Sequence, residues 1–166
     1  MKHSVLILTI FISLNSFSQE INKEAFIEKV YTDCANNFSG DLLLSAKSYP
    51  LGIHPWNLES LFEELDSLPK SVVQELKHEA FQDTLIGSWE CANFKNIKCV
   101  NVDTFQNGLH PRYYKFSRPL FDKEKKYALI TMGYNCGILC AYRCTYVYKY
   151  QDRQWLLLKK IDCWVS

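Results

Sequence analysis

Apolar and polar positions alternate along this chain with two different periods, one in each half. Over residues 20–38, Ile21, Phe26, Ile27, Val30, Tyr31 and Cys34 recur at near-helical spacing with Glu and Lys between them, which predicts an amphipathic helix ended by Gly40. Residues 42–44 form a short apolar run, readable as a strand or as the tail of that helix. Two prolines and a glycine make 48–56 a loop. Asn57 is a candidate N-cap for a helix over 58–65, and Ser67-Leu68-Pro69 opens another through Phe81, with Val72, Val73, Leu76 and Ala80 on one side.

Beyond Ile86 the period shortens. The segments 89–91, 97–102, 113–121, 127–135, 140–150 and 154–165 are rich in aromatic and β-branched residues and are separated by turn residues, so each reads as a strand. Helices first and strands afterwards predict an α+β domain, its N-terminal helices packed on one face of a curved antiparallel β meander. By analogy of shape alone this is cystatin-like or nuclear-transport-factor-like, and such an analogy carries no activity.

The first residues have another pattern. Lys2, the apolar or small residues 5–14 and Ser16-Phe17-Ser18 before Gln19 form the charged region, apolar region and small-x-small site of a cleavable signal peptide at 1–18. A run of about ten apolar residues is too short for the ~30 Å hydrocarbon layer, which takes about 20 residues of helix. No cysteine stands near the cleavage point, so a lipid anchor is not expected, and no later segment reaches membrane-spanning length. Residues 19–166 are then one domain, exported to the periplasm or beyond. The chain carries 19 basic and 18 acidic side chains, and losing Lys2 with the signal leaves it formally neutral. A nucleic-acid or anionic-membrane partner would call for a basic excess, which is absent.

Export changes the meaning of the seven cysteines, which read first as disulfides. Their odd number leaves at least one thiol free or paired between chains. If 127–135 and 140–150 are arms of a hairpin turning at Gly137-Ile138-Leu139, Cys136 faces Cys140, Tyr134 faces Tyr142, Met132 faces Cys144 and Ile130 faces Tyr146. A turn at Asp152-Arg153 then sets Tyr142 opposite Cys163, which reaches Cys140 or Cys144 only if the register slips or bulges. Cys91 and Cys99 oppose one another in a hairpin turning at Phe94-Lys95-Asn96, and Cys34, on the first helix, is the candidate free thiol. The alternative is a metal or redox centre built from Cys136, Cys140, Cys144 and Cys163. Structural zinc sites favour tighter C-x-x-C spacings, which the chain lacks, so no metal is expected.

The same register stands Arg118 opposite Ile130, on a face with Tyr114, Phe116, Tyr142 and Tyr146. An unpaired buried charge costs several kcal/mol. Arg118 must therefore meet a carboxylate on a packing helix, such as Glu63, Glu64 or Glu75, or floor a tyrosine-lined pocket for an anionic ligand. His54 and His110 precede prolines and His78 lies on a helix, with no nucleophile or metal motif around them. Glu59, Glu63, Glu64 and Asp66 are the polar face a surface helix needs, and no glycine-rich phosphate loop is present. No catalytic residue and no cofactor are expected.

Ser117-Arg118-Pro119-Leu120-Phe121, Tyr127-Ala128-Leu129-Ile130, Cys136-Gly137-Ile138-Leu139-Cys140, Trp155 and Trp164-Val165-Ser166 resemble a pattern found in uncharacterised small exported proteins of Bacteroidetes-type bacteria. Ala141 stands where that pattern has glycine. The resemblance implies export and a β-rich fold, and no particular activity. The functional expectation is an exported, non-enzymatic binding domain that holds a small anionic ligand or a peptide around Arg118, Tyr114, Tyr142 and Tyr146. The alternatives are an inhibitor or interaction protein meeting another exported protein through loops 48–56 and 104–112, and a thiol or redox enzyme.

Overall fold

The computed structural model describes residues 22–35, 43–51, 55–104, 112–137 and 140–165. The proposed signal peptide, most of the 104–112 loop, and His54 and His110 lie outside these residues. In chain order the elements are α1 (Lys23–Ala35), β1 (Leu43–Ser45), β2 (Lys47–Ser48), α2 (Pro55–Glu63), α3 (Lys70–Gln82), β3 (Gly87–Ser88), β4 (Lys98–Val100), β5 (Tyr113–Phe116), β6 (Leu120–Phe121), β7 (Tyr127–Gly137), β8 (Cys140–Gln151) and β9 (Gln154–Val165). Short 3-10 turns occupy Cys91–Asn93 and Val102–Thr104.

The run Ala128-Leu129-Ile130 governs how these elements assemble. Successive strand side chains point to opposite faces, so an unbroken apolar run requires cover on both. In β7, residues Ala128 to Met132 are all buried. On one face α1 lays Phe26, Ile27, Val30 and Cys34 over Tyr114, Phe116, Ile130, Cys144, Tyr146 and Tyr148. On the other, α2, α3 and the turn between them pack Leu61, Leu65, Val72 and Leu76 against Leu120, Leu129, Val147 and Ile161. The α+β class is therefore observed, but the helices cover both faces rather than one.

The sheet order is β4-β1-β5-β7-β8-β9, with β6 also paired to β7. From β5 to β9 every pairing is antiparallel, as expected of a meander. The meander ends there, because β1 lies between β4 and β5 and runs parallel to both. Parallel neighbours need long crossover connections, and the two helices between β1 and the later strands supply them. The sheet is thus mixed. The expected strand over 89–91 is also replaced, since Cys91–Asn93 forms a 3-10 turn and only Lys98–Val100 joins the sheet.

The expected strand over 113–121 is broken by Ser117-Arg118-Pro119. Phe116 pairs with Met132 while Leu120 pairs with Leu129, so four steps on one strand match three on the other. Pro119 has no N–H for a ladder, and the Arg118 N–H donates to the Tyr49 carbonyl at 2.9 Å. The extra residue turns Leu120 to the α2–α3 face and Phe121 to the α1 face, where it meets Phe26 edge-on at 5.5 Å.

Two further irregularities lie between β8 and β9. Asp152 and Arg153 both have positive φ, as in the tight turn their position predicts. Register then shifts between Val147 and Tyr148 and again between Arg143 and Thr145. Cys163 is thereby carried from Tyr142 to Cys144. β9 forms one end of the sheet among the described residues and exposes Leu156, Leu157, Leu158, Trp164 and Val165. Its bulges and Lys159 and Lys160 are features that discourage edge-to-edge pairing.

Displaced from the tyrosines, the Arg118 guanidinium bonds the Asp83 carboxylate just beyond α3 and donates to the Leu85 carbonyl at 2.7 Å. The other Asp83 oxygen accepts the Leu51 N–H at 3.0 Å. One carboxylate thus ties the end of α3 to the 49–51 segment and the strand break. Its side chain is 7% exposed against 35% for Arg118. Asp83→Ala is expected to cost about 3 kcal/mol, since it leaves a cation and a backbone N–H without their acceptor. Arg118→Ala is expected to cost less, because its group is already partly hydrated. Urea unfolding of the two variants checks this, and equal losses would contradict the ranking.

Candidate functional site

The residues singled out from sequence are divided by the strand break. Tyr114 and Tyr146 are in the core under α1, Tyr142 is partly buried beside them, and Arg118 stands apart at Asp83. Structurally, Arg118 has the carboxylate partner such a charge requires, supplied by Asp83 rather than by Glu63, Glu64 or Glu75. Burial pushes the hydroxyls of Tyr114, Tyr146 and Tyr148 far above the ordinary tyrosine range. The Tyr148 hydroxyl donates to Asp33 of α1 at 2.9 Å. Tyr114, Tyr146 and Tyr148 are buried in the interior, while Arg118 is turned to Asp83.

Three cysteine pairs are at bonding distance: Cys91–Cys99, Cys136–Cys140 and Cys144–Cys163. Cys136–Cys140 closes the β7–β8 turn, where Gly137 has a φ of 139° that other residues rarely adopt. Cys144–Cys163 uses the bulge described above. Cys91 and Cys99 meet across a 3-10 turn rather than a hairpin. Cys34 is the one cysteine outside these pairs, and it is buried. Burial pushes this thiol up to about 11, against a smaller opposing pull from its hydrogen bond with Tyr146. A thiol needs a lowered pKa and access to act as a nucleophile, and Cys34 has neither. No group of three or more His, Cys, Asp or Glu among the described residues is placed to hold a metal ion.

A groove of about 710 Å³ runs beside α3, with Lys23, Glu75, His78, Glu79, Leu120 and Lys123 in its walls. Glu75 accepts the Lys123 N–H there at 3.0 Å. Charges of both signs line it, so it selects no ligand charge.

The arrangement with a definite chemical character is on the sheet itself, on the face covered further along by α2 and α3. Lys115 pairs with Gly133, Gly133 with Arg143 and Arg143 with Trp164, which puts the four in one row across β5, β7, β8 and β9. Paired residues project to the same face. Toward the helices the next row is buried and internally satisfied: the Thr131 and Thr145 hydroxyls are 2.8 Å apart, and the Ser117 hydroxyl accepts the Thr131 N–H at 2.9 Å. In the row on the other side the Asn135 amide donates to the Tyr113 hydroxyl at 3.2 Å.

The Lys115 ammonium lies 5.5 Å from the centroids of both the Tyr49 and Tyr113 rings, a double cation–π contact. An Arg143 guanidinium nitrogen is 3.4 Å from the Leu51 carbonyl, at the long limit of a hydrogen bond. Neither cation has a carboxylate partner among the ion pairs of the described residues. Two partly buried cations thus flank a glycine, with Tyr49 and Tyr113 at one end and exposed Trp164 at the other.

Sequence reasoning passed over this row. The register that pairs Tyr134 with Tyr142 also implies Gly133 opposite Arg143, so the signal was present in the odd-numbered positions. Its extension to Lys115 and Trp164 depends on the β5 pairing and the β9 bulges. The chain matches no protein-family model, no curated protein and no solved structure.

Cys34 yields a joint expectation. Iodoacetamide at pH 8 should leave the native protein unlabelled and add one group after unfolding without reductant, as read by intact mass; rapid native labelling would contradict the buried thiol. Its folded pKa lies above the unfolded value near 9, so the folded state holds its proton more tightly. That contribution to stability is complete below about pH 9 and is lost as pH rises toward 11, and the buried tyrosines act in the same sense. Thermal midpoints should therefore fall above about pH 9, less steeply in Cys34→Ala.

Proposed function

We propose that the protein is an exported, non-enzymatic binding domain that holds an anionic ligand, a small molecule or a short acidic peptide, on the Lys115–Arg143 row. The observation that carries this reading is the pairing of two cations on one sheet face, framed by aromatic rings and without a carboxylate partner among the described residues. Cations in partly desolvated surroundings favour an anion more strongly than the same groups in water. The rings at either end offer apolar surface to the body of an organic ligand.

Export is supported by the signal pattern of residues 1–18 and by three cysteine pairs, which persist in oxidising compartments. No helix among the described residues is long and apolar enough to cross a membrane. The buried Cys34 thiol, its pKa raised by burial, speaks against the thiol-enzyme alternative.

Thermal-shift screening of organic anions and short acidic peptides, followed by calorimetric titration, tests the reading. Charge-assisted hydrogen bonds are each worth about 1.5–3 kcal/mol. A Lys115→Ala/Arg143→Ala double variant should thus lose at least about tenfold in affinity for each hit while keeping the wild-type circular dichroism. Hits that bind the double variant as tightly as the wild type would remove the row from the function.

A further inference from the structure

Gly133 is a glycine that the fold does not require. It lies inside the eleven-residue strand β7, where glycine is roughly 0.5–1 kcal/mol less favourable than alanine. Its φ is not in the left-handed region, unlike that of Gly137. A Cβ placed on it would meet the Tyr142 carbonyl oxygen at 3.8 Å and the Lys115 Cβ and carbonyl oxygen at 3.9 Å, all ordinary van der Waals distances. Neither backbone conformation nor crowding therefore explains the missing side chain. A glycine inside a strand otherwise marks a place where another group comes close to the backbone, and among the described residues no group comes nearer than these three atoms.

What the glycine provides is a gap in the row of side chains between Lys115 and Arg143. Neighbouring strands lie about 4.8 Å apart, so the two cationic residues start on the order of 10 Å apart with Gly133 midway. Both side chains are long enough to converge over that midpoint. The Thr131–Thr145 pair bounds the gap on the helix side, and the Asn135–Tyr113 pair bounds it on the other.

We infer that Gly133 is the floor of an oxyanion seat, in which a carboxylate, phosphate or sulfate group of the ligand rests against the β7 backbone. The Lys115 ammonium grips it from one side and the Arg143 guanidinium from the other. This rests on the binding reading above and adds the chemical class of the ligand's anionic group and its position. Arg supplies paired N–H donors in a plane, suited to two oxygens of one anion, and Lys supplies a mobile point charge.

Two-dimensional amide NMR titrations with inorganic phosphate and with acetate, at ionic strength held constant by sodium chloride, test the seat and separate its tetrahedral and planar occupants. The full-length mature protein is compared with Gly133→Ala and Arg143→Ala. Saturable shifts centred on the Gly133 amide are expected in the wild type for at least one anion. In Gly133→Ala the affinity should fall about tenfold or more while the thermal midpoint stays at or above the wild-type value. Unaltered binding by Gly133→Ala with loss in Arg143→Ala would overturn the seat and keep the cationic row. Unaltered binding by both variants, or no saturable response to either anion, would overturn the seat and count against the row as well. A lowered midpoint in Gly133→Ala would give the glycine a folding role and overturn the inference too.

Discussion

Strand β7 must be covered on both faces and hydrogen-bonded on both edges, and the rest of the molecule is arranged around that requirement. Its apolar residues alternate between the α1 side and the α2–α3 side, so neither helical layer alone suffices. Its edges are taken by β5 and β6 on one side and by β8 on the other. From Thr131 onward β7 changes character, with Thr131, Gly133 and Asn135 in place of apolar residues on the α2–α3 side. The candidate site lies on that stretch, on a backbone held by the sheet on either edge.

Departures from regular pairing position the neighbouring groups. The extra residue at Ser117-Arg118-Pro119 lets Leu120 and Phe121 enter opposite cores and sends Arg118 to Asp83. Asp83 in turn holds the Leu51 N–H, and the Leu51 carbonyl faces Arg143. The ion pair that fastens α3 is therefore two contacts away from the site cation. On the other side, the β9 bulges set Trp164 beside Arg143 and bring Cys163 to Cys144. The crosslink and the row share one local distortion, because both use the residues that it realigns.

Much of this architecture was readable from local pattern. The helical spacing of Phe26, Ile27, Val30 and Cys34, the strand periods after Ile86, the β7–β8 register and the Asp152-Arg153 turn all depend on neighbouring residues and short turns. The Cys136–Cys140 pair was legible for the same reason, whereas Cys91 and Cys99 meet as expected but across a 3-10 turn in place of the expected hairpin. Placing Arg118 opposite Ile130 assumes an uninterrupted strand, whereas one inserted residue moves every later side chain to the opposite face. The parallel placement of β1 was hidden because its partners are distant in sequence and its three residues carry almost no signal of their own.

By itself, the sequence determined the kinds of element, the apolar faces that had to be buried, and the need of Arg118 for an acceptor. These follow from side-chain chemistry and from periods of two and 3.6 residues, which act over a few positions. The tertiary structure alone decided that Asp83 is the acceptor, that helices cover both faces, and that Lys115, Gly133, Arg143 and Trp164 share a row. Those outcomes depend on where bulges fall and which strands become neighbours. Both are set by the competition of whole surfaces for burial and of backbone groups for partners, a competition that no short stretch of chain contains.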